Sequence, residues 1–129
     1  MISLSAVIIT FNEERNLGRC LESLKGVADE IIIVDSNSTD RTVEIAQAHN
    51  SKVYQHAFVG YGEQKNYATS MATNDWIISL DADEALTPEL RQSILEIKQN
   101  PEFSVYQVPR LTNYCGKWIW HCGWYPDKQ

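Results

Sequence analysis

The apolar run Trp76-Ile77-Ile78-Ser79-Leu80 ends in Asp81-Ala82-Asp83-Glu84, three carboxylates within four positions. Crowded carboxylates repel, and burying them unpaired is costly or shifts their pKa. A divalent cation removes that difficulty. Asp81 and Asp83 offer hard oxygen ligands suited to Mg²⁺ or Mn²⁺, ions that keep several waters and share their coordination with substrate phosphates. A solvated acidic turn, with Asp83 or Glu84 near the next helix start, fits the same residues. The tripeptide alone does not decide between the two.

Other carboxylate chemistries fit less well. An EF-hand loop needs a third oxygen ligand and then glycine, where this chain has Ala85 and Leu86. The stretch from Leu80 to Leu86 also looks like the nucleophile strand of haloacid-dehalogenase-type phosphatases, in which the first Asp attacks phosphorus and the second is acid and base. That motif belongs on a first strand with much chain after it; here it falls on the fourth. No Gly-x-Gly-x-x-Gly follows the first strand and no Gly-Lys-Ser/Thr loop occurs, which disfavours Rossmann dinucleotide binding and P-loop chemistry. His49, His56 and His121 are scattered and read as surface or hydrogen-bonded core residues. Cys115 and Cys122, with His121, lack zinc spacing. Cys20 falls on an apolar helix face.

The elements that must position these groups follow from periodicity. Leu4–Thr10 is a buried strand, short, apolar and β-branched. Asn12 is expected to cap the next helix, with Glu13 and Glu14 in its first turn. Leu17, Cys20, Leu21 and Leu24 recur at helical spacing, and Gly26 ends that helix. Glu30–Asp35 is a second buried strand, 36–40 a polar turn, 41–49 a helix and 52–56 a weaker strand. Gly60-Tyr61-Gly62 is expected to break the chain before a helix at 63–72. The fourth strand covers 76–80. Thr87-Pro88-Glu89 is a strong helix start, Leu90, Ile94 and Ile97 supply its apolar stripe, and Asn100-Pro101 stops it. A fifth strand is expected at 105–108, and the pattern after Pro109 is irregular and aromatic.

Strands alternating with helices predict an α/β fold with a mostly parallel sheet flanked by helices. Ligands in such sheets sit beyond the carboxyl ends of the strands. Thr10-Phe11-Asn12, Asp35 and Asp81 all fall at such ends, so the polar residues converge on one edge.

The chain has 129 residues, 43% of them hydrophobic and 22% charged, which suits one globular domain. A net charge of −6 argues against general nucleic-acid binding, which needs a basic face. Three cysteines read as reduced thiols rather than a disulfide framework, no apolar run reaches the ~20 residues of a membrane span, and the start lacks a signal peptide's features. A cytoplasmic protein is expected.

Taken together, three segments resemble family 2 glycosyltransferases with the Rossmann-like GT-A fold. Ala6-Val7-Ile8-Ile9-Thr10-Phe11-Asn12-Glu13-Glu14 is similar to their opening strand and loop. Val34-Asp35-Ser36-Asn37-Ser38-Thr39-Asp40-Arg41-Thr42 is similar to their second strand and turn. Leu80-Asp81-Ala82-Asp83-Glu84 resembles their metal-binding Asp-x-Asp motif. The segments at 60–66, 115–119 and 123–127 resemble the branch of β-1,4-glucosyltransferases that builds lipopolysaccharide core, and the resemblance covers essentially the whole chain.

The resemblance implies a metal-dependent, inverting transfer of a sugar, glucose in that branch, from a UDP-sugar to a glycan or glycolipid acceptor. By position, Thr10, Phe11, Asn12 and Glu14 would line the nucleotide pocket, Asp35 would accept a hydrogen bond from the base, and Lys65 would lie near the base or phosphates. Asp81 would face the ribose or the metal, Asp83 would ligate the metal, and Glu84 would cap or salt-bridge. Mg²⁺ or Mn²⁺ is the implied cofactor. Relatives continue beyond the segment that ends here at Gln129, so 1–129 is expected to be the donor-binding portion of a longer enzyme, with Asp127 the only candidate base at hand. A non-catalytic nucleotide-sugar-binding module is the alternative. Tyr114, Trp118, Trp120, Trp124 and Tyr125, with Arg110 and Lys117, could stack on sugar, touch a lipid-bearing acceptor at the inner membrane, pack on further chain or drive self-association.

Overall fold

A computed structural model describes residues 3–99 and the strand backbones at 106–107, 112–114, 117–119 and 123–125. Strands β1 (Leu4–Thr10), β2 (Glu30–Asp35), β3 (Lys52–Gln55) and β4 (Trp76–Asp81) alternate with helices α1 (Leu17–Leu24), α2 (Thr42–Ala48) and α3 (Tyr61–Met71), and α4 (Pro88–Gln99) follows β4. The sheet order is β3-β2-β1-β4, all parallel, and the sheet is extended by β8 (Gly123–Tyr125) and β5 (Tyr106–Gln107). β8 runs antiparallel to β4 and to β5. A separate antiparallel pair joins β6 (Thr112–Tyr114) to β7 (Lys117–Ile119), so regular strands occupy part of the region where the sequence pattern looks irregular.

Side-chain alternation along the strands sorts the core into two layers. Leu4, Ala6, Ile8, Ile33, Ile78 and Leu80 face one side and pack with α1, with Ala46 of α2 and with Ile94 of α4. Val7, Ile32, Val34 and Ile77 face the other and pack with Ala68 of α3 and with Ala72. Both faces are covered, which is why the strands are apolar throughout. The chain steps from β1 outward to β2 and β3, then returns across the opposite face through α3 to β4. The strand order therefore reverses between β1 and β4, and at such a switch point a crevice opens beyond the strand ends.

Most element bounds agree with the periodicity, and two starts do not. α1 begins at Leu17 after a turn, and its N-cap is Asn16, without a side-chain capping bond. Asn12 does not cap it; it adopts a left-handed backbone, φ 51°, and gives its carboxamide oxygen to Thr39 N–H at 2.9 Å. α3 begins at Tyr61, two residues early. Gly60, φ 143°, is its N-cap, and Gly62 lies inside the helix. At α4 the expectation is met: Thr87 Oγ1 accepts the Leu90 N–H at 3.1 Å with Pro88 first in the helix.

Candidate donor and metal site

Parallel register brings the strand ends together. Thr10 pairs with Asp35 across β1 and β2, and Ile9 pairs with Asp81 across β1 and β4. A cleft of about 630 Å³ opens above them, lined by Ile9, Thr10, Phe11, Glu13, Ser36, Phe58, Tyr61, Gln64, Lys65, Asp81, Ala82 and Asp83. Of the residues expected from the sequence, Thr10, Phe11, Lys65, Asp81 and Asp83 line it. Asn12, Glu14 and Asp35 are not among the lining residues.

Those three brace the walls. Asp35 is fully buried. Its carboxylate accepts from Thr10 Oγ1 at 2.7 Å, Ser38 Oγ at 2.6 Å and Ser38 N–H at 2.8 Å. Asn12 N–H donates to Ser38 Oγ at 2.8 Å, and Glu14 N–H donates to Asp40 Oδ2 at 3.2 Å. The loop after β1 is thereby tied to the turn after β2, a set of contacts between residues more than 25 positions apart.

At the end of β4 a tight turn gathers the acids. Glu84 N–H donates to the Asp81 carbonyl at 3.0 Å, while Glu84 Oε1 accepts the Asp81 N–H at 2.8 Å. Glu84 is buried by this reciprocal bonding and Asp83 is exposed. Carboxylate oxygens of Asp81, Asp83 and Glu84 lie within 4.8 Å of one another. Hard oxygen donors gathered this closely are of the kind that could hold Mg²⁺ or Mn²⁺. Lys65 Nζ sits 3.6 Å from Asp81 Oδ1, with both side chains 42% exposed, so a cation already faces the cluster. Arg19 Nη2 donates to the Asp83 carbonyl at 3.0 Å. Beneath the turn, the buried Cys20 thiol lies 3.8 Å from the Asp81 carbonyl. Burial first, and then the charges of Glu84 and Asp83, push Cys20 up to about 12, which favours the thiol over the thiolate.

Sequence reasoning missed Ser36, Gln64, Phe58, Tyr61 and Glu13 as lining residues. Phe58 and Tyr61, 50% and 73% exposed, meet edge to face at 5.0 Å at the rim. Gly60 between them marked a turn, which was the available signal. Asp127 and the side chains of the aromatic segment lie outside the described residues, as do Cys115, Cys122 and His121. Among the described residues no helix is long and apolar enough to cross a membrane.

Comparison with known proteins agrees with this geometry. The family model described as glycosyl transferase family 2 matches residues 5–127. An uncharacterized glycosyltransferase of Rickettsia typhi is 41% identical over 119 residues, covering 90% of this chain and 41% of that protein. The lipopolysaccharide core biosynthesis glycosyltransferase LpsC of Rhizobium meliloti is 41% identical over 101 residues, covering 74% and 37%. The chain thus spans about two fifths of the length of the curated relatives it matches. Among solved structures, Staphylococcus aureus TarS 1–349 in complex with UDP-GlcNAc superposes with a TM-score of 0.76 at 23% identity, over 92% of this chain and 37% of that one. Glucosyl-3-phosphoglycerate synthase of Mycobacterium tuberculosis with Mn²⁺, UDP and glucosyl-3-phosphoglycerate gives 0.67 at 22% identity, over 81% and 42%. At these identities the structures speak for the fold.

Proposed function

This chain belongs to glycosyl transferase family 2, and from that membership we propose that it binds a UDP-sugar and carries the donor half of a metal-dependent, inverting glycosyl transfer to a glycan or glycolipid of the bacterial envelope. The observation that carries the reading is the cleft at the β1–β4 switch point, whose lining combines the aromatic Phe11, Phe58 and Tyr61 with Lys65, Asp81 and Asp83. Membership, together with Asp81 standing on the fourth strand, leaves the phosphatase alternative without support.

In this reading Phe11 offers a stacking face and Thr10 a wall to the nucleoside. Asn12 and Glu14 hold the β1 loop in the shape the nucleotide needs. Asp35 accepts from the base once one of the Ser38 donors gives way. Asp83 and Asp81 hold Mg²⁺ or Mn²⁺, and Glu84 keeps the turn that aims them. A bound divalent cation supplies Lewis-acid stabilisation of charge on the leaving diphosphate. Lys65 adds a second positive charge, worth most in a closed, water-poor cleft. Inversion also requires a carboxylate to take the acceptor hydroxyl proton. This reading assigns that role outside the described residues, with Asp127 the candidate in this chain. Lipopolysaccharide core as the acceptor rests on the likeness to LpsC, while glucose as the sugar and the cytoplasmic face of the inner membrane as the place of transfer rest on the resemblance to the β-1,4-glucosyltransferase branch and on the aromatic segment.

Calorimetric titration of UDP with Mn²⁺, repeated with EDTA, tests the reading. Metal-dependent binding is expected. Binding that ignores EDTA would remove the metal role, and no binding in either condition would overturn the donor site. Binding without sugar transfer to any acceptor would instead favour a nucleotide-sugar-binding module.

A further inference from the structure

Gln64 is a fully buried amide on the cleft wall, and every polar atom of it is used. Its Nε2 donates to Ser36 Oγ at 3.0 Å and to the His56 carbonyl at 3.1 Å. Its Oε1 lies 2.9 Å from His56 Nδ1. The His56 carbonyl can only accept, so the NH₂ group must face it, and the orientation of the amide is fixed by chemistry. With Oε1 toward the ring, His56 Nδ1 carries the proton. It does so in the neutral Nδ1–H tautomer and in the imidazolium alike. The ring is stacked on Tyr67 at 4.1 Å, and His56 N–H donates to the Asp35 carbonyl at 3.0 Å. The ends of β2 and β3 and the first turns of α3 are thus pinned to one another.

The consequence falls on Ser36. Its hydroxyl accepts from Gln64, and its own single proton has no acceptor among the described residues. Ser36 lines the cleft, half-buried. We propose that Ser36 donates a hydrogen bond to a carbonyl oxygen of the donor's nucleobase, and that Gln64 is the positioning residue that aims this proton. The inference rests on the nucleotide-sugar reading above. It goes beyond that reading by assigning base recognition to a hydroxyl and a buried amide.

Two features select the base over the diphosphate. Ser36 follows β2, whereas the acids follow β4, and β1 lies between them. Two inter-strand spacings amount to roughly 10 Å, on the scale of the distance from a base to its phosphates. Asp35 is buried and occupied as the structure stands, but once a Ser38 donor gives way it and Ser36 would present an acceptor and then a donor in succession. That pairing complements the adjacent N–H and C=O of an imide edge, as in uracil.

The test compares two probes on the parent chain and on Ser36→Ala, Ser36→Thr and Gln64→Met: UDP with Mn²⁺, and inorganic pyrophosphate with Mn²⁺. Ser36→Ala is expected to weaken UDP about five- to tenfold, the usual scale for one neutral hydrogen bond, and to leave pyrophosphate unchanged. Ser36→Thr keeps the hydroxyl and should recover most of the loss. Gln64→Met should weaken UDP similarly, and the double variant Ser36→Ala/Gln64→Met should lose no more than the worse single one. Thermal melting shows whether Gln64→Met folds, and Ser36→Ala decides the matter by itself if it does not. Unchanged UDP affinity in Ser36→Ala, or an equal loss for pyrophosphate, overturns the inference while the donor site stands. A parent chain that fails to bind UDP overturns the donor site and this inference with it.

Discussion

The two ends of the central sheet both carry carboxylates, and they treat them oppositely. At the amino end Glu30 accepts from Ser5 Oγ at 2.7 Å, Lys52 Nζ at 2.6 Å, Thr73 N–H at 2.8 Å and Thr73 Oγ1 at 2.9 Å. Beside it Lys98, buried on α4, donates to the Val27 carbonyl at 2.7 Å and to Asp29 Oδ2 at 2.9 Å. Asp29 Oδ2 also accepts the Leu4 N–H at 2.7 Å. Glu30 and Asp29 each have a lysine in contact. At the carboxyl end three acids meet, and Lys65 stands off at 3.6 Å. Acids saturated by their own chain hold the fold together. Acids gathered within 4.8 Å of one another at a cleft are the set a divalent cation could share in the reading proposed above.

That contrast can be broken at either end. The largest effect is expected from Asp83→Ala. It should weaken Mn²⁺-dependent UDP binding by about 100-fold and shift stability by no more than ~0.5 kcal/mol, because the side chain is exposed. A comparable loss of stability, read by urea unfolding, would make the acidic turn a structural element. Lys98→Met should do the reverse. It leaves the Val27 carbonyl without its donor and Asp29 without its cation, at a cost of roughly 2 kcal/mol, moderated because Asp29 is half-exposed. UDP affinity should stay as in the parent.

The third effect is confined to acid. Partial burial works to raise Glu30, but the bonds from Lys52, Thr73 and Ser5 outweigh it and hold the carboxyl at about 2, below its ordinary 4.5. The folded chain therefore prefers the ionised form. Its contribution to stability is whole above about pH 4.5 and is lost as pH falls toward 2. Urea unfolding of Glu30→Gln across that window should show a shallower acid slope than the parent; an identical slope would deny Glu30 its role. The smallest effect is the sharpest probe of the carboxyl end. Lys65→Met should let Mn²⁺ alone bind about threefold tighter, by removing a competing charge, yet weaken UDP with Mn²⁺. Weaker binding of Mn²⁺ alone would mean that Lys65 orders the acids instead of competing for them.

The amino-acid pattern was most legible where burial dictates it. The β-branched runs placed Thr10, Asp35 and Asp81 at strand ends, and parallel register then forces those ends together. It was least legible where distant polar groups choose one another. Asn12 is of a helix-capping residue type, but Thr39 and Ser38 compete for it from 27 and 26 positions away, and it adopts a left-handed turn. Gly60-Tyr61-Gly62 looks like a break because glycine costs a helix about 1 kcal/mol. Only Gly60 needs its freedom, and Gly62 is carried inside α3. Gln64 looks like a solvated helix residue until β2 and β3 supply Ser36 and His56 to meet it.

The strand order also governs how the chain comes into being. β1 is made first and ends up in the middle, flanked by β2 on one edge and β4 on the other. One edge waits about twenty residues for its neighbour; the other waits until Trp76–Asp81 has been made. Without Trp76–Asp81, Leu4–Thr10 would keep one open, apolar edge, the kind that invites wrong pairing. The strand that finally shields it is the one that brings Asp81. Shielding of the second β1 edge and formation of the acidic cluster therefore depend on one and the same segment of chain.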